Sequence, residues 1–211
     1  TKQRDELTRA RQALPWVKVD KSYVFDGPNG KESLSDLFDG RSQLIVYHFM
    51  YHPSWGDEAC KSCSFWADNF NGIIVHVNAR DVSMVAISKA RLEQIDTYKR
   101  RMGWSFKWLS SCDNDFNRDY HVSFTDEEVA TGKGYYNYGI RPAPREELPG
   151  MSVFAKDDDG EVFHTYSAYA RGLDMVNGAY HYLDTVPKGR DEDGLPWNQA
   201  WICRHDEYGK K

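Results

Sequence analysis

No stretch of this sequence reaches the roughly 18 consecutive apolar residues that a bilayer-spanning helix needs, and no broad basic patch marks it. The densest cluster of cations, Lys99-Arg100-Arg101, closes a segment of helical periodicity, where positive charge meets the negative end of the helix dipole. With 27 basic and 32 acidic residues the formal net charge is -5, which argues against nucleic-acid and membrane partners. Cysteine is scarce: four in 211 residues make no disulfide scaffold, and two of them, Cys112 and Cys203, stand alone. Such sparse usage suits a reducing compartment, so a cytoplasmic location is expected. The opening Thr1-Lys2-Gln3-Arg4-Asp5-Glu6 lacks the apolar run of a secretory signal, and because no Met begins the chain an upstream segment is expected.

What is present suffices for a core. Apolar residues make up 40% and aromatics 14%, and the length suits a single domain over residues 1–211. Residues 1–40 read as an extension. In it, Leu7, Ala10 and Leu14 recur at helical spacing before Pro15, a hairpin turns at Asp26-Gly27-Pro28-Asn29-Gly30, and residues 33–38 make a helical turn. The core is expected over residues 44–186. It opens with an unbroken apolar and aromatic run at 44–51, the mark of a strand covered on both faces. Past a loop, Cys63, Trp66, Ala67, Phe70, Ile74 and Val77 share one helical stripe, with a break expected near Gly72. Residues 81–87 read as a second strand, 88–102 as a helix stopped by Gly103, 105–110 as a third strand, and 113–120 as a short helix capped by Asp113. Residues 125–149 read as a long insertion rich in Gly and Tyr. A hairpin over 151–155 and 161–166, a helix at 173–183, and an irregular tail at 187–211 anchored by Trp197 and Trp201 complete the chain.

The order β-α-β-α-β, linker, β-β-α, with right-handed crossovers, places three strands in parallel beside an antiparallel hairpin. This is the thioredoxin layout. The expected fold is therefore a thioredoxin-like three-layer α/β/α sandwich with an N-terminal extension and a long insertion before the C-terminal hairpin.

Cys60-Lys61-Ser62-Cys63 stands where the first strand's loop meets the helix. Unpaired N–H groups and the helix dipole favour a thiolate there, below the free thiol's pKa of about 8.5. The i, i+3 spacing brings both sulfurs to one side, within disulfide reach. Cys63 falls on the inward stripe with Trp66 while Cys60 lies at the exposed tip, so Cys60 is expected to attack and Cys63 to resolve the mixed disulfide. Lys61 would favour the thiolate; Asp57 and Glu58 would oppose it. The other reading of the motif is half of a structural zinc site, but zinc takes four ligands and the remaining cysteines are isolated.

The strings Tyr47-His48-Phe49-Met50-Tyr51, Cys60-Lys61-Ser62-Cys63-Ser64-Phe65-Trp66, Lys99-Arg100-Arg101-Met102-Gly103-Trp104 and residues 189–197 resemble a bacterial uncharacterised thioredoxin-like family of predicted dithiol-disulfide oxidoreductases. The resemblance runs over nearly the whole chain. It implies exchange at Cys60 and Cys63 with no bound cofactor and no metal, and a protein or small-molecule thiol or disulfide as partner. A more distant likeness, at Tyr23-Val24-Phe25, Gly30-Lys31 and Ser33-Leu34-Ser35-Asp36-Leu37, runs to the peroxiredoxins, the alkyl hydroperoxide reductase and thiol-specific antioxidant group, and adds a peroxide as candidate partner. That group's motif is Pro-x-x-x-Thr-x-x-Cys; here Asp57 replaces the Thr and Pro53 reads as too far upstream, which counts against peroxidase activity.

Thioredoxin-like proteins set a cis-proline opposite the dithiol. Pro149 stands in that place, with cis and trans both open. Trp55 is a candidate shield for the sulfurs and Arg145, by position, a candidate partner for a peroxide. Cys112 reads as a strand-end cysteine or a second resolving thiol. His48 and His76 read as core residues, and Tyr135, Tyr136 and Tyr138 either wall a substrate groove or anchor the insertion. The expected activity is thiol–disulfide oxidoreductase. The alternatives are a thiol peroxidase with Cys60 as peroxidatic cysteine, and a non-catalytic binding protein whose cysteine pair is structural or holds zinc.

Overall fold

A computed structural model describes residues 1–209; the last two residues of the expected 187–211 tail lie outside the described residues. The first half of the chain contains α1 (Lys2–Gln12), β1 (Val17–Lys18), β2 (Val24–Gly27), β3 (Gly30–Ser33), β4 (Gln43–His48), α2 (Lys61–Ala67), α3 (Phe70–Asn78), β5 (Val82–Ser88) and α4 (Leu92–Arg101). The second half contains β6 (Trp108–Ser110), α5 (Phe116–Asp119), α6 (Asp126–Thr131), β7 (Gly134–Tyr136), β8 (Gly139–Arg141), β9 (Gly150–Lys156), β10 (Val162–Tyr169) and α7 (Gly178–Leu183). Single 3₁₀ turns lie at Asp36–Phe38 and Pro53–Trp55, and a longer 3₁₀ segment at Ala170–Val176.

One sheet of order β1-β10-β9-β4-β5-β6-β2-β3 organises the molecule. β4, β5 and β6 run parallel, and β9 pairs antiparallel with β4 so that Tyr47 stands between Ala86 and Met151. Successive side chains of a strand point to opposite faces, and both faces are covered. On one lie Tyr47, Met84, Ala86, Trp108 and Met151, packed with Cys63, Trp66, Phe70, Ile95 and Tyr180 from the helices. On the other lie Leu44, Val46, Val85, Ile87, Leu109 and Phe154, packed with Leu37, Phe38 and Phe116. The result is a thioredoxin-like α/β/α sandwich, extended at its β6 edge by the N-terminal hairpin. Among the described residues no helix is long and apolar enough to cross a membrane.

Several boundaries differ from expectation. The stripe helix breaks at Asp68-Asn69 rather than near Gly72, because the Asn69 side-chain amide donates to the Phe65 and Trp66 carbonyls and ends α2. Ser88 closes β5 instead of opening a helix. The N-cap of α5 is Asp115, not Asp113, and the side-chain acceptor for the first helical N–H, that of Phe116, is Oδ1 of Asn114. The 173–183 helix divides into the Ala170–Val176 segment and α7, with Asn177 capping α7. Residues 125–149 are no bare loop: they hold α6 and the β7–β8 hairpin. Tyr136 is buried with its hydroxyl donating to Pro149 O, and Tyr138 donates to Ser167 O, so these tyrosines anchor the insertion. His48 is a core residue as expected, held neutral by burial and paired with Ser152 Oγ, whereas His76 is exposed on α3.

Residues 144–149 form a strap beside the sheet. Phe124 N–H donates to Glu146 O and Leu148 N–H to Val122 O, both at 2.8 Å. Between them Glu147 is buried, accepting from Asn117 Nδ2 at 3.0 Å and pairing with Ser123 Oγ. Burial pushes its carboxyl up to about 8. A folded-state pKa raised above the ordinary value of about 4.3 means that the fold favours the protonated acid; its contribution is full below the ordinary value and is lost as pH rises through about 8. Glu147→Gln keeps the shape without the titration. The melting point of the variant minus that of the native chain should therefore grow between pH 5 and pH 9, by about 2–4 °C for each kcal/mol at this length; a constant difference would contradict the buried neutral carboxyl.

Candidate active site

Beyond His48 the chain leaves the regular ladder but stays tied to the end of β5: Phe49 N–H donates to Ile87 O and Ala90 N–H to Tyr51 O. The loop that follows is fastened from α4, where Gln94 Nε2 donates to the Pro53 and Gly56 carbonyls at 3.1 and 2.8 Å. Met50, in the last stretch before the loop, touches both cysteines through its backbone. Its carbonyl accepts from Cys60 N–H at 3.3 Å and its N–H donates to Cys63 Sγ at 3.4 Å.

Cys60 is the residue at which α2 begins, and its sulfur accepts from Cys63 N–H at 3.5 Å. Both cysteines are free thiols, Cys60 partly exposed and Cys63 buried. The two differ chemically. Hydrogen bonding from the Cys63 thiol, then from the Cys63 and Ser62 N–H groups, with Arg145 nearby, outweighs burial and lowers the Cys60 thiol to about 6. Burial and the neighbouring Cys60 push Cys63 well above its ordinary value, against hydrogen bonds from Met50 N–H and the Tyr47 hydroxyl. The arrangement thus holds a stabilised thiolate at the surface and a protonated thiol beneath it.

The tail, for which the sequence offered no periodicity, grips this junction. Arg204 Nη2 donates to Ala59 O at 2.9 Å and Nε to the Tyr98 hydroxyl at 2.8 Å. That hydroxyl pairs with Ser64 Oγ at 2.8 Å, and Ser64 Oγ donates to Cys60 O at 2.9 Å. The carbonyls on both sides of the Cys60 amide-to-helix corner are therefore tied to one arginine, one tyrosine and one serine. Trp201 anchors the tail as expected, with its indole donating to buried Glu192 at 2.7 Å and its ring against Phe65. Trp197 does not: it is 62% exposed, at the rim of the site.

Two hollows meet at the dithiol. A cleft of about 740 Å³ is lined by Cys60, Lys61, Trp55, Arg145, Arg204 and Trp197, among others. An apolar pocket of about 200 Å³ is lined by Cys63, Tyr47, Trp66 and Leu173. Met50, Ser62, Pro149 and Gln199 belong to both. All four site-lining residues expected from the sequence, Trp55, Lys61, Trp66 and Pro149, thus border one hollow or the other. The Pro149 bond is trans; its carbonyl accepts from Tyr136, and trans is the ordinary preference. Trp55 lies under Arg145, 5.2 Å from guanidinium carbon to ring centre, and its indole donates to Glu146. Gln199 and Ala170, both on the apolar pocket, hold φ of +73° and +47°. Left-handed backbone at a residue with a Cβ costs about 1–2 kcal/mol and gathers at functional sites. Cys112 lines a different hollow beside β6, and Cys203 lies in the tail. Among the described residues no three His, Cys, Asp or Glu side chains gather as a metal site.

The architecture has relatives among solved structures. A peroxiredoxin Q from Xanthomonas campestris superposes with a TM-score of 0.51 at 15% identity, covering 79% of this chain and 94% of that one. A bacterioferritin comigratory protein from the same organism gives 0.50 at 14% identity, over 79% and 95%. Peroxidoxin BcpB from Mycobacterium tuberculosis gives 0.47 at 13% identity, over 77% and 92%. The two superpositions at 0.50 and 0.51 establish the thioredoxin-like fold of peroxiredoxins and, at these identities, the fold alone. No curated protein matches the sequence. A family model does, over residues 1–208: the chain belongs to DUF899, bacterial proteins of unknown function.

Proposed function

We propose that the protein is a thiol–disulfide oxidoreductase that cycles Cys60 and Cys63 between dithiol and disulfide. The observation that carries this reading is the split between the two thiols, one lowered to about 6 at a partly exposed helix tip and one raised by burial beneath it. In the reducing direction the Cys60 thiolate attacks a substrate disulfide, forming a mixed disulfide and expelling one substrate thiolate, which takes a proton. Cys63 then loses its proton and attacks Cys60 Sγ, closing the protein disulfide and releasing the second substrate thiol. Met50 N–H stabilises the Cys63 thiolate as it forms.

A second reading, a thiol peroxidase with Cys60 oxidised to a sulfenic acid and resolved by Cys63, has two supports. Arg145 acts on Cys60, and Pro53 is not too far upstream as expected: it stands seven residues before Cys60, the spacing of the proline in the peroxiredoxin motif. Against it stands Asp57, a carboxylate at the Thr position. Peroxide consumption by the reduced protein at a rate no greater than that of a free thiolate would set this reading aside.

The roles of the two cysteines are separable. Cys60→Ser should abolish turnover, whereas Cys63→Ser should accumulate a covalent mixed disulfide visible by mass spectrometry; trapping in Cys60→Ser instead would reverse the assignment. Alkylation of the reduced protein by iodoacetamide should follow the Cys60 thiolate. Its rate should rise through pH 6 and at pH 7 lie within about a factor of two of its plateau, whereas an ordinary thiol is still climbing above pH 8. A midpoint above 8 would contradict the stabilised thiolate.

A further inference from the structure

The walls of the cleft say what kind of disulfide reaches Cys60. On a bare helix tip any partner can approach, but here the tail supplies one wall with Trp197, Gln199 and Arg204, and the strap supplies the other with Pro144, Arg145 and Glu146. The stable docking of a folded partner needs about 800 Å² of matched surface on each side. A recess of about 740 Å³ with the thiol between its walls instead falls in the range of small-molecule sites.

Charge narrows the choice. Of the carboxylates on the cleft, Glu58 is taken by Arg204, and Glu146 accepts from the Trp55 indole at 3.3 Å. Arg204 is itself consumed by Glu58, Glu207, Tyr98 and Ala59 O. Two cations remain. Lys61 adjoins Cys60 on α2, and Arg145 overhangs from the strap with only the face of Trp55 beneath it. Among the described residues neither side chain has a carboxylate partner or a hydrogen bond. Beside the nucleophilic sulfur these two cations outnumber Glu146, the one cleft carboxylate that no cation pairs among the described residues, and this surplus of positive charge favours anionic ligands over neutral or cationic ones.

We propose that the physiological partner is a low-molecular-weight disulfide bearing carboxylates, held by Lys61 and Arg145 on either side of the reacting sulfur. The assignment rests on the dithiol reading above and adds to it the substrate class. One turnover oxidises the protein pair to its disulfide by two electrons and reduces the bound disulfide to two carboxylate-bearing thiols; Cys63 supplies one proton and, because Cys60 reacts as the thiolate, solvent supplies the other.

Single-turnover oxidation of the reduced protein tests it, with glutathione disulfide as the anionic probe, cystamine as the cationic one and 4,4′-dithiodipyridine as an uncharged one. Each rate is normalised to that of 2-mercaptoethanol thiolate with the same probe, which removes intrinsic reactivity. Glutathione disulfide should be favoured over cystamine by about tenfold or more at low salt, and the preference should shrink in about 0.5 M salt. In Lys61→Gln/Arg145→Gln it should fall to within about twofold of unity. Because this is a ratio, any change in Cys60 acidity cancels. Equal normalised rates for cystamine, or insulin reacting as fast as glutathione disulfide, would overturn the substrate class. So would rapid oxidation by dithiodipyridine with none by glutathione disulfide, and that result would leave the dithiol reading intact. Failure of every probe would overturn the dithiol reading and the substrate class with it.

Discussion

Everything proposed for this protein hangs on the backbone of Met50. One peptide neighbourhood accepts from Cys60 N–H and donates to Cys63 Sγ, so the two sulfurs are positioned by the same short stretch that leaves the central strand. The stretch has little freedom of its own. β4 is hydrogen-bonded on both sides, by β5 and β9, and Phe49 to Tyr51 are buried and tied to the end of β5. Rigidity at the sheet is thereby passed to the cysteine pair. The chemical asymmetry follows from where the helix stripe falls: Cys63 turns inward with Trp66 and loses its water, while Cys60 remains at the tip with N–H groups aimed at it.

Two segments remote in sequence complete the surroundings. The strap is held by two backbone hydrogen bonds and by Glu147, whose buried neutral carboxyl costs less than a charge would in that environment. The tail is held by the Glu192 and Trp201 contact and by Arg204, a side chain with four partners and little exposure. An isolated surface ion pair contributes little, but Arg204 also satisfies carbonyl and hydroxyl groups that would otherwise lie partly buried and unpaired. These segments give the cleft its walls and, among the described residues, leave Lys61 and Arg145 without carboxylate partners.

The sequence discloses the layered core and the dithiol because both follow short-range rules. The 44–51 run, the stripe from Cys63 to Val77 and the hairpin at Asp157 to Gly160 each announce themselves by periodicity or turn chemistry. The insertion was legible only in part. Thr125 and Glu128 form a capping box whose letters stand in the sequence. The β7–β8 turn is hidden because its two left-handed positions are Asn137 and Tyr138, with φ of +49° and +62°, where an Asn-Gly pair would have signalled it. Arg204 carried no local signal at all: its partners Ala59 and Tyr98 lie 145 and 106 residues away, and only the fold brings them together.

The proposed chemistry requires that Cys60 and Cys63 form a reversible redox couple. Equilibrating the protein across glutathione redox buffers and counting free thiols tests it most directly. A reversible couple gives a single two-electron transition that disappears when either cysteine is replaced, with a midpoint that says whether the protein gives or takes electrons in its compartment. Both thiols remaining free under fully oxidising buffer would contradict it and leave the pair as packing residues of a binding protein.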